Sequence, residues 1–227
     1  MALSERNNSI LLATLQEHIK TARPVGSEIL VEKHGIDLSP ASVRNVLLEL
    51  EEAGYLAQPH TSAGRVPTVK AYRYYLDNFL EEAQVPHAAQ TALRTAIHRS
   101  TDPELQMKSV AKAIAELTSN TVLVGFAPHD VYYTGISYLF HQPEFAEMDM
   151  VLDFSELIDR LDDVVARLYS RLNTHPQIFL GKDNPFGEET GVVMLQCSGT
   201  LVGILGPVRM SYGQNIALLR FTQQLLA

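Results

Sequence analysis

The sequence predicts an α+β chain in two parts, and three observations lead there. Apolar residues recur at helical spacing through most of residues 1–86, with Ser, Pro and Gly where helices start and stop. A short, turn-rich hairpin pattern follows the third of these helices, and from about residue 120 β-rich runs alternate with two longer helical stretches. A length of 227 residues suits one large domain or two small ones. With 46% apolar and 19% charged residues, the composition is that of a folded chain and excludes collagen-like, low-complexity and disordered classes. No window approaches about 18 consecutive apolar residues, and the stretch from Met1 to Ser9 is polar, so neither a membrane span nor a signal peptide is expected. The single cysteine, Cys197, cannot form an intrachain disulfide, which makes the cytoplasm the expected compartment.

Each element has a chemical reason. Ser4 caps a first helix carrying Leu11, Leu15 and Ile19, and Arg23-Pro24-Val25-Gly26 breaks it. Ser27 is expected to cap a short second helix that ends at His34, with Gly35 as its left-handed terminator. Ser39-Pro40 is a cap and first-turn pair for a third helix running to Ala53 and stopped by Gly54. Tyr55 to Gln58, the turn Pro59-His60-Thr61-Ser62-Ala63-Gly64, and Arg65-Val66-Pro67 form the hairpin. Thr68 caps a fourth helix whose Tyr72, Tyr75, Leu76, Phe79 and Leu80 share one face. Three short helices followed by a hairpin make a winged helix-turn-helix domain over residues 1–86.

A linker around Val85-Pro86-His87 leads to residues 87–227. Helices are expected from Ala88 to Arg99 and after Asp102-Pro103, the latter with Met107, Val110, Ile114 and Leu117 on one face. Strands are expected at Thr121–Phe126, Tyr132–Ile136, Gln177–Leu180, Gly191–Cys197 and Thr200–Leu205, and helices at Asp153–Leu172 and Tyr212–Leu226.

Eighteen basic against 26 acidic residues give a net charge of −8, which argues against a nucleic-acid partner until position is considered. From Ala53 to Leu76 there is no Asp or Glu, yet His60, Arg65, Lys70 and Arg73 are there; Leu38 to Leu48 is also acid-free and holds Arg44. On the third helix Val43, Leu47 and Leu50 fit a buried face and leave Ser42, Arg44 and Asn45 outward. Arg can take a guanine edge and Asn an adenine edge. A merely solvated helix face is the competing reading. The acids Glu49, Glu51 and Glu52 crowd the end of that helix, where its dipole disfavours them.

Several runs together resemble the HrcA family: Pro24-Val25-Gly26-Ser27, Leu38-Ser39-Pro40-Ala41-Ser42-Val43-Arg44-Asn45, Leu50-Glu51-Glu52-Ala53-Gly54-Tyr55-Leu56 and Gln58 through Thr68. Gln142-Pro143-Glu144-Phe145 and Gly203 through Tyr212 are similar to the same family's closing GAF-like domain. The resemblance implies a GAF-like α+β regulatory and dimerisation domain over residues 87–227. It also implies a homodimeric repressor of heat-shock (chaperone) genes that binds double-stranded DNA at an inverted-repeat operator, is released on heat stress and depends on the chaperonin. Ser39, Ser42, Arg44, Asn45, His60, Thr61, Ser62, Gly64, Arg65, Lys70 and Arg73 are the candidate DNA-binding residues. The chain resembles a short member, since it passes from Thr121-Val122-Leu123 to Tyr132-Tyr133-Thr134-Gly135 where the family carries a large central region.

The alternative is a small-ligand-sensing winged-helix and GAF regulator of other genes. Catalysis, a cofactor and a metal are not expected. His129, Asp130, His141 and His175 lack zinc-ligand spacing, Cys197 reads as a buried small hydrophobe, and Gly203 and Gly206 read as turn residues before Pro207 rather than a phosphate loop.

Overall fold

The computed structural model describes residues 3–60, 63–145 and 156–226, in two compact units, Met1–Leu80 and Glu81–Ala227. The expected linker therefore divides earlier. Residues 81–86 belong with the second unit, where the Ala83 N–H donates to the Gly213 carbonyl at 3.3 Å and Arg220 pairs with Glu82. Among the described residues no helix is long and apolar enough to cross a membrane.

In the first unit Ser4 caps α1 (Glu5–Thr21) by accepting from the Asn7 N–H. The second helix, α2 (Ser27–His34), begins one residue earlier than expected. Its N-cap is Gly26 without a side-chain bond, and Ser27 is its first helical residue. Helix α3 (Pro40–Glu52) has Ser39 as cap and Pro40 in its first turn, where the missing N–H costs nothing. Strands β1 (Leu56–Ala57) and β2 (Val66–Pro67) pair antiparallel, and α4 (Val69–Phe79) starts from Thr68. Ile10, Leu11, Leu15, Leu30, Val43, Leu47, Leu50 and Tyr72 are the buried centre. The stripe expected on α4 is deeply buried only at Tyr72, while Tyr75, Leu76, Phe79 and Leu80 are half-buried.

A polar cluster ties α1 to α2. Glu17 is 5% exposed and accepts from Lys33 Nζ at 2.9 Å, with His34 Nε2 3.2 Å from its other oxygen. The Lys33 ammonium holds the Glu17 carboxyl below the usual carboxylate range against the opposing effect of burial, and His34 adds to the lowering.

The second unit opens with α5 (His87–Ile97) and α6 (Pro103–Thr118), the latter capped by Asp102. A five-stranded antiparallel sheet follows: β3 (Thr121–Ala127), β4 (Asp130–Thr134), β5 (Gln177–Leu180), β6 (Thr190–Cys197) and β7 (Thr200–Pro207), in the order β4-β3-β7-β6-β5. The structure differs from the expected second strand. Gly135 lies at φ +82° and turns the chain into α7 (Ile136–Phe140), so Ile136 is apolar because it packs on the core and not because it extends a strand. The expected helix over Asp153–Leu172 begins outside the described residues. Its described part breaks at Arg160 before α8 (Leu161–Tyr169).

Both faces of the sheet are covered. Leu123, Val192, Met194, Leu201 and Leu205 face α8 residues Leu161, Val164, Val165 and Leu168. The alternate positions, Val122, Val124, Val193, Leu195, Val202 and Ile204, are equally buried, with α6 packed on β3 and α9 (Tyr212–Leu226) on β6 and β7. Gly203 and Gly206 lie within β7 and not in the turn expected before Pro207. A Cβ on Gly203 would come within 2.6 Å of Met194, its cross-strand partner. The two separated motifs also meet here, because the Arg209 guanidinium holds both the Glu144 carboxylate and Gln142 Oε1.

Replacing Glu17 by Gln should destabilise the first unit by about 1–2 kcal/mol at pH 7, because the charge-assisted bond from Lys33 to a largely buried carboxylate is lost. Folding lowers this carboxyl's pKa, so its contribution is present at neutral pH and is lost as pH falls below the ordinary carboxylate value and through the lowered one. Thermal melting of wild type and Glu17→Gln should therefore differ at pH 7 and the difference should shrink as the solution is acidified.

Candidate nucleic-acid interface

Helix α3 has one face in the core and one in solvent. Val43, Val46, Leu47 and Leu50 are buried, while Ala41, Arg44, Asn45, Leu48, Glu49 and Glu52 are exposed, as a helical period of 3.6 requires. At its start the Ser39 hydroxyl accepts from the Ser42 N–H at 3.2 Å and lies 3.0 Å from the Ser42 hydroxyl, so both serines are joined at the exposed N-terminal turn. The first turn has no acid, and it carries the positive end of the helix dipole.

The hairpin is fastened beside this helix by a backbone bridge. The Val25 N–H donates to the Arg65 carbonyl and the Arg65 N–H to the Val25 carbonyl, both at 2.8 Å. Gly64 is what permits this approach, since a Cβ there would lie 2.4 Å from the Val25 carbonyl carbon. Thr68 fixes the other end of the hairpin, its hydroxyl bonding the carbonyls of Gly54 and Tyr55. The start of α2, the outward side of α3 and the hairpin then enclose an open groove of about 520 Å³, lined by Gly26, Glu28, Arg44, Leu48, Gln58 and Gly64 among others.

The cations expected to lie outward divide into two groups. Arg44, with Asn45 beside it, is exposed on α3, and Arg73 is exposed on α4. Arg65 is different: its side chain is 13% exposed, and its Nε donates to Glu51 Oε2 at 2.8 Å. Lys70 is exposed, but its ammonium donates to the Ala53 carbonyl at 2.6 Å and sits 4.4 Å over the Tyr55 ring. The acids crowding the end of α3 are answered in the same way, Glu51 by Arg65, Glu49 by Asn7 and the last carbonyl by Lys70. His60 is exposed at the hairpin turn, where its carbonyl accepts from the Ala63 N–H, and Thr61 and Ser62 lie outside the described residues. Leu48, which is not among the candidate DNA-binding residues expected from the sequence, also belongs to this exposed surface. The signal was available, as residue 48 falls on the exposed stripe by period alone.

Elsewhere, among the described residues no three His, Cys, Asp or Glu side chains gather closely enough to hold a metal. His129 lies 3.7 Å from the Asp163 carboxylate, with both side chains largely exposed. Cys197 is 1% exposed and burial pushes its thiol up to about 11, the environment of an inert packing cysteine.

Comparison with known proteins identifies relatives for both parts. The family model described as HrcA protein C terminal domain matches residues 41–216. The heat-inducible transcription repressor HrcA of Geobacter sulfurreducens is 52% identical over 92 residues, which span 40% of this chain and 27% of that relative. The repressor of the same name from Carboxydothermus hydrogenoformans is 24% identical over 333 aligned positions, covering 99% of this chain and 97% of its own. Because this chain has 227 residues, roughly a third of that alignment has none of them opposite it. Another HrcA relative, from Symbiobacterium thermophilum, is matched over 36% of its length at 37% identity. A solved structure of a hypothetical protein at 2.2 Å resolution shares the fold, with a TM-score of 0.79, 17% identity, and coverage of 99% of this chain and 98% of that one.

Gly64→Ala is expected to force the Val25–Arg65 bridge apart. Losing two buried backbone hydrogen bonds costs about 1–3 kcal/mol, which lowers the melting temperature of an 80-residue unit by roughly 5–15 °C. Calorimetry on wild type and Gly64→Ala checks this, and Gly26→Ala, where an added Cβ meets nothing within 4 Å, is the control expected to melt much closer to wild type.

Proposed function

The chain belongs to the HrcA family, and on that premise we propose that it is a heat-inducible transcription repressor whose first unit acts as a winged helix-turn-helix. In this reading α3 enters the major groove of operator DNA, the hairpin is the wing, and the second unit is a GAF-like regulatory and dimerisation domain. The observation that carries the reading is the exposed, acid-free first half of α3, with Arg44 and Asn45 outward and a hairpin bonded beside it at Val25. Arg44 and Asn45 take base edges. Ser39, Ser42, His60, Lys70 and Arg73 serve the phosphates, Gly64 stands at the base of the wing, and Thr61 and Ser62 join the set by their place in the sequence. Arg65 acts differently, holding the wing against the end of α3 through Glu51.

One winged helix reads only a few base pairs and buries roughly 600–1,000 Å² of protein surface, so tight and unique recognition calls for two copies on an inverted repeat. The second unit is the proposed source of the pairing, as a homodimer of twice the 25.2 kDa chain mass by light scattering. The testing experiment is a gel shift with DNA from upstream of the chaperone genes in the source genome, at rising temperature, with and without chaperonin. Specific retention lost on heating supports the reading, and equal binding to random DNA overturns it.

Arg44→Ala or Asn45→Ala should weaken operator binding by about 1–3 kcal/mol and random-DNA binding much less, because a base-edge contact exists only in the specific complex. Titrations against both duplexes check this. The salt dependence has a ceiling. Lys70 and Arg73, the cations proposed for the phosphates, number four in two subunits, so log affinity against log salt should fall no more steeply than about −4, at roughly 0.9 per phosphate contact.

A further inference from the structure

We propose that Leu48 is a specificity-determining residue that reads a thymine C5-methyl group in the major groove. This inference rests on the DNA-binding reading of α3 and adds to it a residue and a base. Leu48 is 41% exposed on a helix whose other face supplies Val43, Val46, Leu47 and Leu50 to the core. Scattered exposed leucines are ordinary, so position carries the argument. At 100° per residue Leu48 lies about 40° around the helix from Arg44 and about 60° from Asn45, one turn further on, in the middle of the exposed stripe. It also lines the groove together with Arg44, Gln58 and Gly64.

A side chain held at the centre of a helix face that enters the major groove meets base edges, and the thymine methyl is the apolar group those edges offer. Over cytosine or guanine the same leucine would cover an amino group or carbonyl oxygen without bonding it, which is penalised. Attraction to thymine and rejection of G·C act in the same direction. Four residues of helix rise about 6 Å and base pairs are spaced about 3.4 Å, so the thymine lies within about two base pairs of the base that Arg44 contacts.

The test begins by selecting the tightest duplex from a randomised pool with the full chain, then replacing each thymine singly by deoxyuracil, which removes only the methyl group. Wild type should lose about fourfold in affinity at one thymine per half-site and little elsewhere. Leu48→Ala should bind the unmodified duplex more weakly and show no further loss at that position, whereas Leu48→Met, which keeps an apolar contact, should retain the sensitivity. Wild type indifferent to every replacement, or Leu48→Ala with the wild-type sensitivity map, overturns the inference while leaving DNA binding intact. A pool that yields no enriched duplex is a distinct result that removes the DNA-binding reading and this inference with it.

Discussion

Two hydrogen bonds between Val25 and Arg65 join the loop before α2 to the base of the hairpin, and the arrangement of the first unit depends on them. Without them β1 and β2 would be a two-stranded ribbon of two residues each, far too short to hold an orientation in water. With them the ribbon gains a third backbone segment and a fixed position beside α3. Gly64 is the condition for that contact. The groove between α2, α3 and the hairpin is its consequence, so a glycine next to the turn helps decide which side chains share a surface.

The same junction resolves a conflict in charge. Three acids in the last turns of α3 oppose the helix dipole, and the chain as a whole is acidic. Arg65 binds Glu51 and Lys70 caps the final carbonyl, so positive charge from the hairpin and α4 settles at the C-terminal end of α3. The N-terminal end keeps Arg44, Asn45 and the positive end of the dipole without acidic residues on its first turn. The helix thus presents opposite electrostatic ends, and the end suited to phosphate is the one left open. That polarity offsets the unfavourable net charge of −8, because a groove-binding surface senses charge within about a Debye length rather than the sum over the chain.

In the second unit the sheet is buried on both sides, which accounts for strands that read as continuous apolar runs such as Val122 to Val124 and Gly191 to Leu195 rather than as alternation. The tight turn at Ser198 and Gly199, both left-handed, sets the β6–β7 register, and Arg209 binds the segment after α7 through Glu144 and Gln142. The motifs that resemble the family at 142–145 and 203–212 are therefore two halves of one contact. Their separation in sequence hides a shared structural reason.

The sequence by itself determined the helices of the first unit, because caps, prolines and terminating glycines act locally: Ser4, Ser39, Thr68 and Gly35 do what their chemistry requires wherever the rest of the chain goes. It also determined the exposed placement of Arg44 and Asn45, since a period of 3.6 needs only the buried residues beside them. Tertiary structure decided the rest. Whether Arg65 faces solvent or Glu51 depends on a partner 14 residues away, whether Ile136 extends a strand depends on the turn at Gly135, and whether Gly203 ends a strand or passes Met194 depends on a neighbouring strand. Local propensity carries no information about which distant group will be within 3 Å, and the division of cations between the fold and its open surface is a matter of such distances.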